Sequence, residues 1–152
     1  MAKKRSNRKI LAKVVFFLYC MLMLWLLFFR SGGWIAGLTY EQQLLHNFNL
    51  TPFLTIKNYW TVVLEGAGNT LFIHCVINLL GNIFLFIPIG YLMPVLWKKL
   101  RNYIRFFCAC FCVMFLIEIL QLFTLLGSFD VDDLILNLFG MSIGFVVYHL
   151  FN

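Results

Sequence analysis

Runs of about twenty apolar residues recur four times along the chain, and each is long enough as a helix to cross roughly 30 Å of hydrocarbon. With 62% of 152 residues hydrophobic and only 12% charged, the sequence lies far outside the range of a soluble domain. The expected fold is therefore an all-α integral membrane protein forming a single domain over residues 1–152. Its four transmembrane helices fall at about residues 10–29, 70–96, 103–126 and 132–148, with an outer loop of about forty residues, 30–69, between the first and the second.

Charge orients these spans. Of the 12 basic residues, Lys3, Lys4, Arg5, Arg8, Lys9 and Lys13 lie at the N-terminus, up to the start of the first run, and Lys98, Lys99, Arg101 and Arg105 lie between the second run and the start of the third. Only Arg30 and Lys57 fall on the other side. By the positive-inside rule both termini are cytoplasmic. The net charge of +6 thus reflects topology and attraction to anionic headgroups, so the bilayer and not nucleic acid is the expected partner. The basic head and apolar run resemble a signal peptide, but the run is too long and lacks a small-residue cleavage site, which implies a retained anchor. That first span has no polar residue beyond Lys13 and is expected to serve packing and topology. Cys20, Cys75, Cys108, Cys110 and Cys112 all fall in spans, without zinc spacing, and read as packing residues.

Polar residues inside the spans carry the remaining information. In the second, His74, Asn78 and Asn82 recur at every fourth residue and share one helix face, while Pro88-Ile-Gly90 predicts a kink or break. The third carries Glu118 and Gln121 one turn apart. Three of the chain's six acidic residues, Asp130, Asp132 and Asp133, open the fourth, where Ser128 or Asp130 can cap the first turn. At about 100° per residue, Asp133, Asn137, Gly140 and Gly144 fall in a stripe of about 60° that should face protein or water. Asp132 points about 100° away and reads as a solvated or capping residue.

At about 1.5 Å per residue, Asn78, Glu118, Gln121, Asp133 and Asn137 reach similar depths in the outer leaflet. A charged carboxylate at a helix centre costs roughly 2.5 to 3.5 kcal/mol, so Glu118 should not face lipid. Two readings follow: these groups bond one another and hold the bundle together, or they line an outward-facing polar cleft. In the second, Glu118, Asp133 and His74 are candidate acids or bases. Glu118, Asp130 and Asp133 are candidate ligands of a divalent cation, because hard cations prefer oxygen donors. The apolar outer loop, with Phe48, Phe53, Tyr59 and Trp60, should lie at the interface or fold back over the helices; Pro52 interrupts any helix there, and Glu65-Gly-Ala-Gly-Asn69 makes a flexible turn.

The combination of Asn49-Leu-Thr-Pro52-Phe53-Leu-Thr55-Ile56, Asn78-x-x-Gly81-Asn82-x-x-x-Phe86-x-Pro88-x-Gly90, Glu118-x-x-Gln121 and Asp130-x-Asp132-Asp133-x-x-x-Asn137-x-x-Gly140-x-x-x-Gly144 resembles the VanZ-like family. The resemblance runs from about Asn49 to Gly144 and implies a protein of the bacterial cell membrane; the family's namesake lowers sensitivity to the glycopeptide teicoplanin. Asn78, Asn82, Glu118, Gln121, Asp130, Asp133 and Asn137 match its polar positions and become candidate binding residues for a lipid-linked envelope precursor or lipoglycopeptide. Leu138 departs from the threonine of many members, and Gly127-Ser128 stands where basic residues often precede the acidic turn, which leaves an anionic ligand without an evident counter-charge.

The orientation has a direct test. In a cysteine-free background, Ser128→Cys should react with a membrane-impermeant thiol reagent on intact cells, and Asn102→Cys only after permeabilisation; the opposite pattern would invert the topology.

Overall fold

A computed structural model describes the backbone of residues 2–29, 35–64 and 69–151, and their side chains except at 2–9, 55–56, 59, 62–63, 69–72 and 74–75. The chain order is α1 (Ala2–Phe29), α2 (Tyr40–His46), β1 (Phe48–Asn49), α3 (Leu54–Leu64), α4 (Asn69–Phe84), α5 (Ile87–Leu96), a 3-10 turn (Lys98–Arg101), α6 (Tyr103–Thr124), β2 (Phe129–Asp130) and α7 (Val131–Phe151). Among the described residues, four stretches are long and apolar enough to cross a membrane: Ile10–Phe29, Val76–Leu96, Tyr103–Thr124 and Val131–Phe151. The expected turn at 65–68 and the start of the expected loop at 30–34 lie outside the described residues.

The second span is two helices, α4 and α5, separated at Leu85 and Phe86. Pro88, in the first turn of α5, has no N–H to give to the preceding turn, so the ladder stops there. At the break the Leu85 carbonyl accepts a hydrogen bond of 2.7 Å from the Tyr19 hydroxyl of α1. The first span therefore does contribute a polar contact, which corrects the expectation that it carries nothing polar beyond Lys13. Tyrosine's apolar ring conceals its hydroxyl in any hydropathy pattern. At the end of α6, Leu125 takes a left-handed backbone (φ 55°), so the helix stops at Thr124, two residues short of the expected limit.

Helix α7 is central. Half of its span is buried against protein, compared with 6% of the span Ile10–Phe29. One side presents Leu134, Leu138, Met141 and Phe145 to Phe106, Cys110 and Met114 of α6 and to Phe86 and Ile89 at the start of α5. The Phe106 and Phe145 rings lie 4.7 Å apart. Against the second span the backbones nearly touch: a Cβ on Gly140 would overlap the Ile83 carbonyl of α4, and one on Gly144 the Ile87 carbonyl of α5. Small residues are the usual route to such packing where no hydrophobic force distinguishes helix from lipid.

The connection between α1 and α4 folds back over the α6–α7 turn. β1 and β2 pair in parallel, Phe48 with Phe129 and Asn49 with Asp130. The Phe129 N–H donates to the Asn47 carbonyl at 2.8 Å, and the Tyr40 hydroxyl to the Phe123 carbonyl at 2.8 Å. Phe53, just before α3, has φ 63°, a backbone state that costs a bulky residue about 1–3 kcal/mol. Its N–H donates to the Asp132 carboxylate, which is fully buried. Asp132 is therefore not solvated, contrary to the expectation from helix phase alone: the direction it faces, off the polar stripe, is covered by the connection.

Both contacts yield predictions. Gly144→Ala should lower thermal stability by about 1–3 kcal/mol through overpacking. Gly81→Ala should cost little, because open space surrounds that position. Asp132→Ala should accelerate amide exchange at Phe53 and across Phe48–Asn49 while leaving α5 and α7 protected.

Candidate polar binding site

Three helices supply the polar groups at the α6–α7 end of the bundle, and each is placed by a local feature already described. The α4 face with its four-residue repeat directs Asn78 and Asn82 inward, above the break at Leu85. Glu118 and Gln121 occupy the buried face of α6, with 2% and 6% of their surface exposed. Asp133 and Asn137 lie one turn apart on α7, ahead of the glycines that fix its distance from α5.

These six side chains line one cavity of about 60 Å³, together with Gly127, Ser128, Leu85, Phe86 and the apolar wall of Met23, Leu26 and Leu27 from α1. The contribution of α1 is not visible in the sequence, since leucines lining a cavity and leucines facing lipid look alike. It is more than apolar: Gln121 Nε2 donates to the Leu27 carbonyl at 2.8 Å. Asn82 Nδ2 donates to Asp133 Oδ1, joining α4 to α7.

Asp130, the seventh candidate, stands beside the cavity in a different role. Its Oδ1 accepts the Asp132 N–H at 2.9 Å, capping the first turn of α7 as expected, and the Asn49 side-chain amide at 3.3 Å. Its own N–H donates to Glu118 Oε2 at 3.2 Å. Glu118, Asp130 and Asp133 consequently do not converge as three ligands, and among the described residues no three His, Cys, Asp or Glu side chains do so. The His74 side chain lies outside the described residues.

Among the described residues, the lining holds two carboxylates, Glu118 and Asp133, and no lysine, arginine or histidine. The Asn137 side chain is 1% exposed, and its Oδ1 has no hydrogen-bond partner among the described residues. A second, larger space of about 550 Å³ adjoins this one and shares Met23, Leu27 and Phe86 with it. Its walls come from α1, α5, α6, Met141 of α7 and Trp97, Lys99 and Leu100 of the α5–α6 connection, and apart from Lys99 the lining is apolar, including Phe16, Met93, Met114 and Ile117.

Comparison with known proteins agrees with the motif resemblance. Protein VanZ of Enterococcus faecium is 27% identical over 145 residues, which cover 95% of this chain and 77% of that protein. No solved structure matches the chain. The profile of the VanZ/LLP1 family matches residues 16–152, taking in every polar residue of the cavity, and the chain belongs to that family.

Proposed function

We propose that the protein works in the bacterial cell membrane, contributing to glycopeptide resistance of the teicoplanin type or to envelope maintenance by recognising an envelope lipid or a lipidated ligand. The observation that carries this reading is the junction of the two spaces. An apolar groove of about 550 Å³ is within the usual range of roughly 300–1,000 Å³ for small-molecule sites, and it can take an acyl chain. The polar cavity at its end, about 60 Å³, is far below that range. It can address one polar group of an amphiphile and cannot enclose a whole headgroup. With both termini cytoplasmic, this polar end belongs to the outer leaflet, where glycopeptides act.

A second reading, a membrane-embedded enzyme acting on a lipid-linked substrate, draws support from two carboxylates on one cavity, since paired carboxyl groups serve acid–base chemistry. Turnover separates the two: mass spectrometry of total bacterial lipid incubated with the purified protein would show a changed species only for an enzyme. For recognition, Glu118→Gln and Asp133→Asn should each lower resistance to teicoplanin toward that of cells lacking the protein, at unchanged membrane abundance. Undiminished resistance in both variants would contradict the assignment of this site.

A further inference from the structure

The apolar groove has two ends of different chemistry. One reaches the polar cavity through Met23, Leu27 and Phe86. The other ends at Trp97 and Lys99 of the α5–α6 connection, and among the described residues Lys99 is the one charged group in the lining. The α1 residues of the groove, Phe16, Cys20, Met23, Leu24 and Leu27, share one helix face at about 100° per residue. Lys13 continues that face one turn before Phe16, and it is exposed. The Phe16 ring stands edge-on to Trp97, with centroids 5.2 Å apart, so Lys13 and Lys99 flank one mouth from two elements. Arg101 is turned to another side: its guanidinium carbon lies 5.8 Å from the centre of the Tyr148 ring, and its Nε donates to the Pro94 carbonyl at 3.3 Å. Among the described residues every Asp and Glu belongs to the opposite end of the bundle. Glu41 is in the helix that Tyr40 ties to the end of α6, and Glu118, Asp130, Asp132 and Asp133 surround the α6–α7 turn.

Length and exposure define what can enter. From Phe16 to Leu27 the groove runs about 16 Å along α1 at about 1.5 Å per residue. That is about half of the roughly 30 Å hydrocarbon core, the depth of one leaflet. With the basic end cytoplasmic it is the inner leaflet, whose anionic lipids attract lysines at the interface. Leu24 of α1 and Val113 of α6, both in the lining, are 38% and 52% exposed, so the groove opens sideways to the bilayer between those helices.

We propose that the groove binds one anionic glycerophospholipid of the cytoplasmic leaflet, its phosphate met by Lys13 and Lys99 and one acyl chain lying along α1. The inference goes beyond the recognition reading and does not rest on the polar cavity. A lipid held from the cytoplasmic mouth and a ligand reaching in from the polar cavity contend for the same space, so the inner-leaflet lipid is a competitor of the ligand.

Native mass spectrometry of the purified full chain in detergent, titrated with dioleoylphosphatidylglycerol or dioleoylphosphatidylcholine, tests it by counting retained lipids. One phosphatidylglycerol per chain is expected at concentrations where phosphatidylcholine is not retained. Lys13→Gln and Lys99→Gln should each lower that occupancy at least threefold. Lys98→Gln removes the same charge from a residue outside the lining and should leave it unchanged. Val113→Trp, which fills the groove from its rim, should lower it as far as the two lysine variants do. Equal retention of the two lipids, equal losses in Lys98→Gln and Lys99→Gln, full retention in Val113→Trp, or a second copy of the chain held in place of lipid would each overturn the proposal. None of these four residues lines the polar cavity, so such a failure leaves the recognition reading to its own test with Glu118→Gln and Asp133→Asn.

Discussion

A carboxylate in the hydrocarbon region must be enclosed, and the architecture follows from enclosing Glu118 and Asp133. At a helix centre, exposing a carboxylate to lipid costs roughly 2.5 to 3.5 kcal/mol, several times what a typical interhelical hydrogen bond returns. The solution is to turn both toward a common interior. Asn82 is supplied from α4 to receive Asp133, and the Asp130 backbone is bent over the end of α6 to meet Glu118. The α1 backbone comes close enough for Leu27 to take the Gln121 amide. The polar cavity is thus the point on which α1, α4, α6 and α7 all converge.

Two devices keep that convergence in place. One is the glycine contact, where α7 runs against the broken second span with no side chain between backbones. The break at Pro88 and the glycines on α7 are complementary: the interruption lets the chain approach, and the missing Cβ atoms accept it. The other is the clasp at the opposite end of α7, where a parallel pair of two-residue strands, the Asn49–Asp130 contact and the Phe53–Asp132 contact bind the long connection to the acidic turn. The three aspartates therefore divide their work, with Asp133 facing the cavity, Asp130 capping and positioning, and Asp132 holding the cover.

Much of this was legible in the residues. Spans follow from runs of apolar residues because length against bilayer thickness leaves little choice, and the break follows from Pro88 because a missing N–H has one consequence in a helix. Five of the polar positions could be grouped because helix phase and depth are both arithmetic, and Asn82 joined them through the motif resemblance. The remainder depended on tertiary neighbours that helix phase does not contain. Asp132 was misread because its surroundings are made by Phe53, some eighty positions earlier in the chain. Tyr19 and the Met23–Leu27 wall were missed because a lipid-facing pattern and a cavity-facing one are identical in composition. The size of the cavity, which decides what it can hold, has no sequence signature at all.

The enclosure of the α7 stripe can be measured in native membranes by cysteine cross-linking. In a cysteine-free background, the pair Asn82→Cys with Asp133→Cys should be joined rapidly by a short bifunctional thiol reagent, because these side chains meet between α4 and α7. The pair Phe84→Cys with Leu150→Cys, both exposed and separated by about 15 Å of α7 beyond the Ile83–Gly140 contact, should not be joined. No linkage of 82 with 133, with the protein present in the membrane, would mean that the stripe does not face α4, and the shared polar cavity would have to be abandoned.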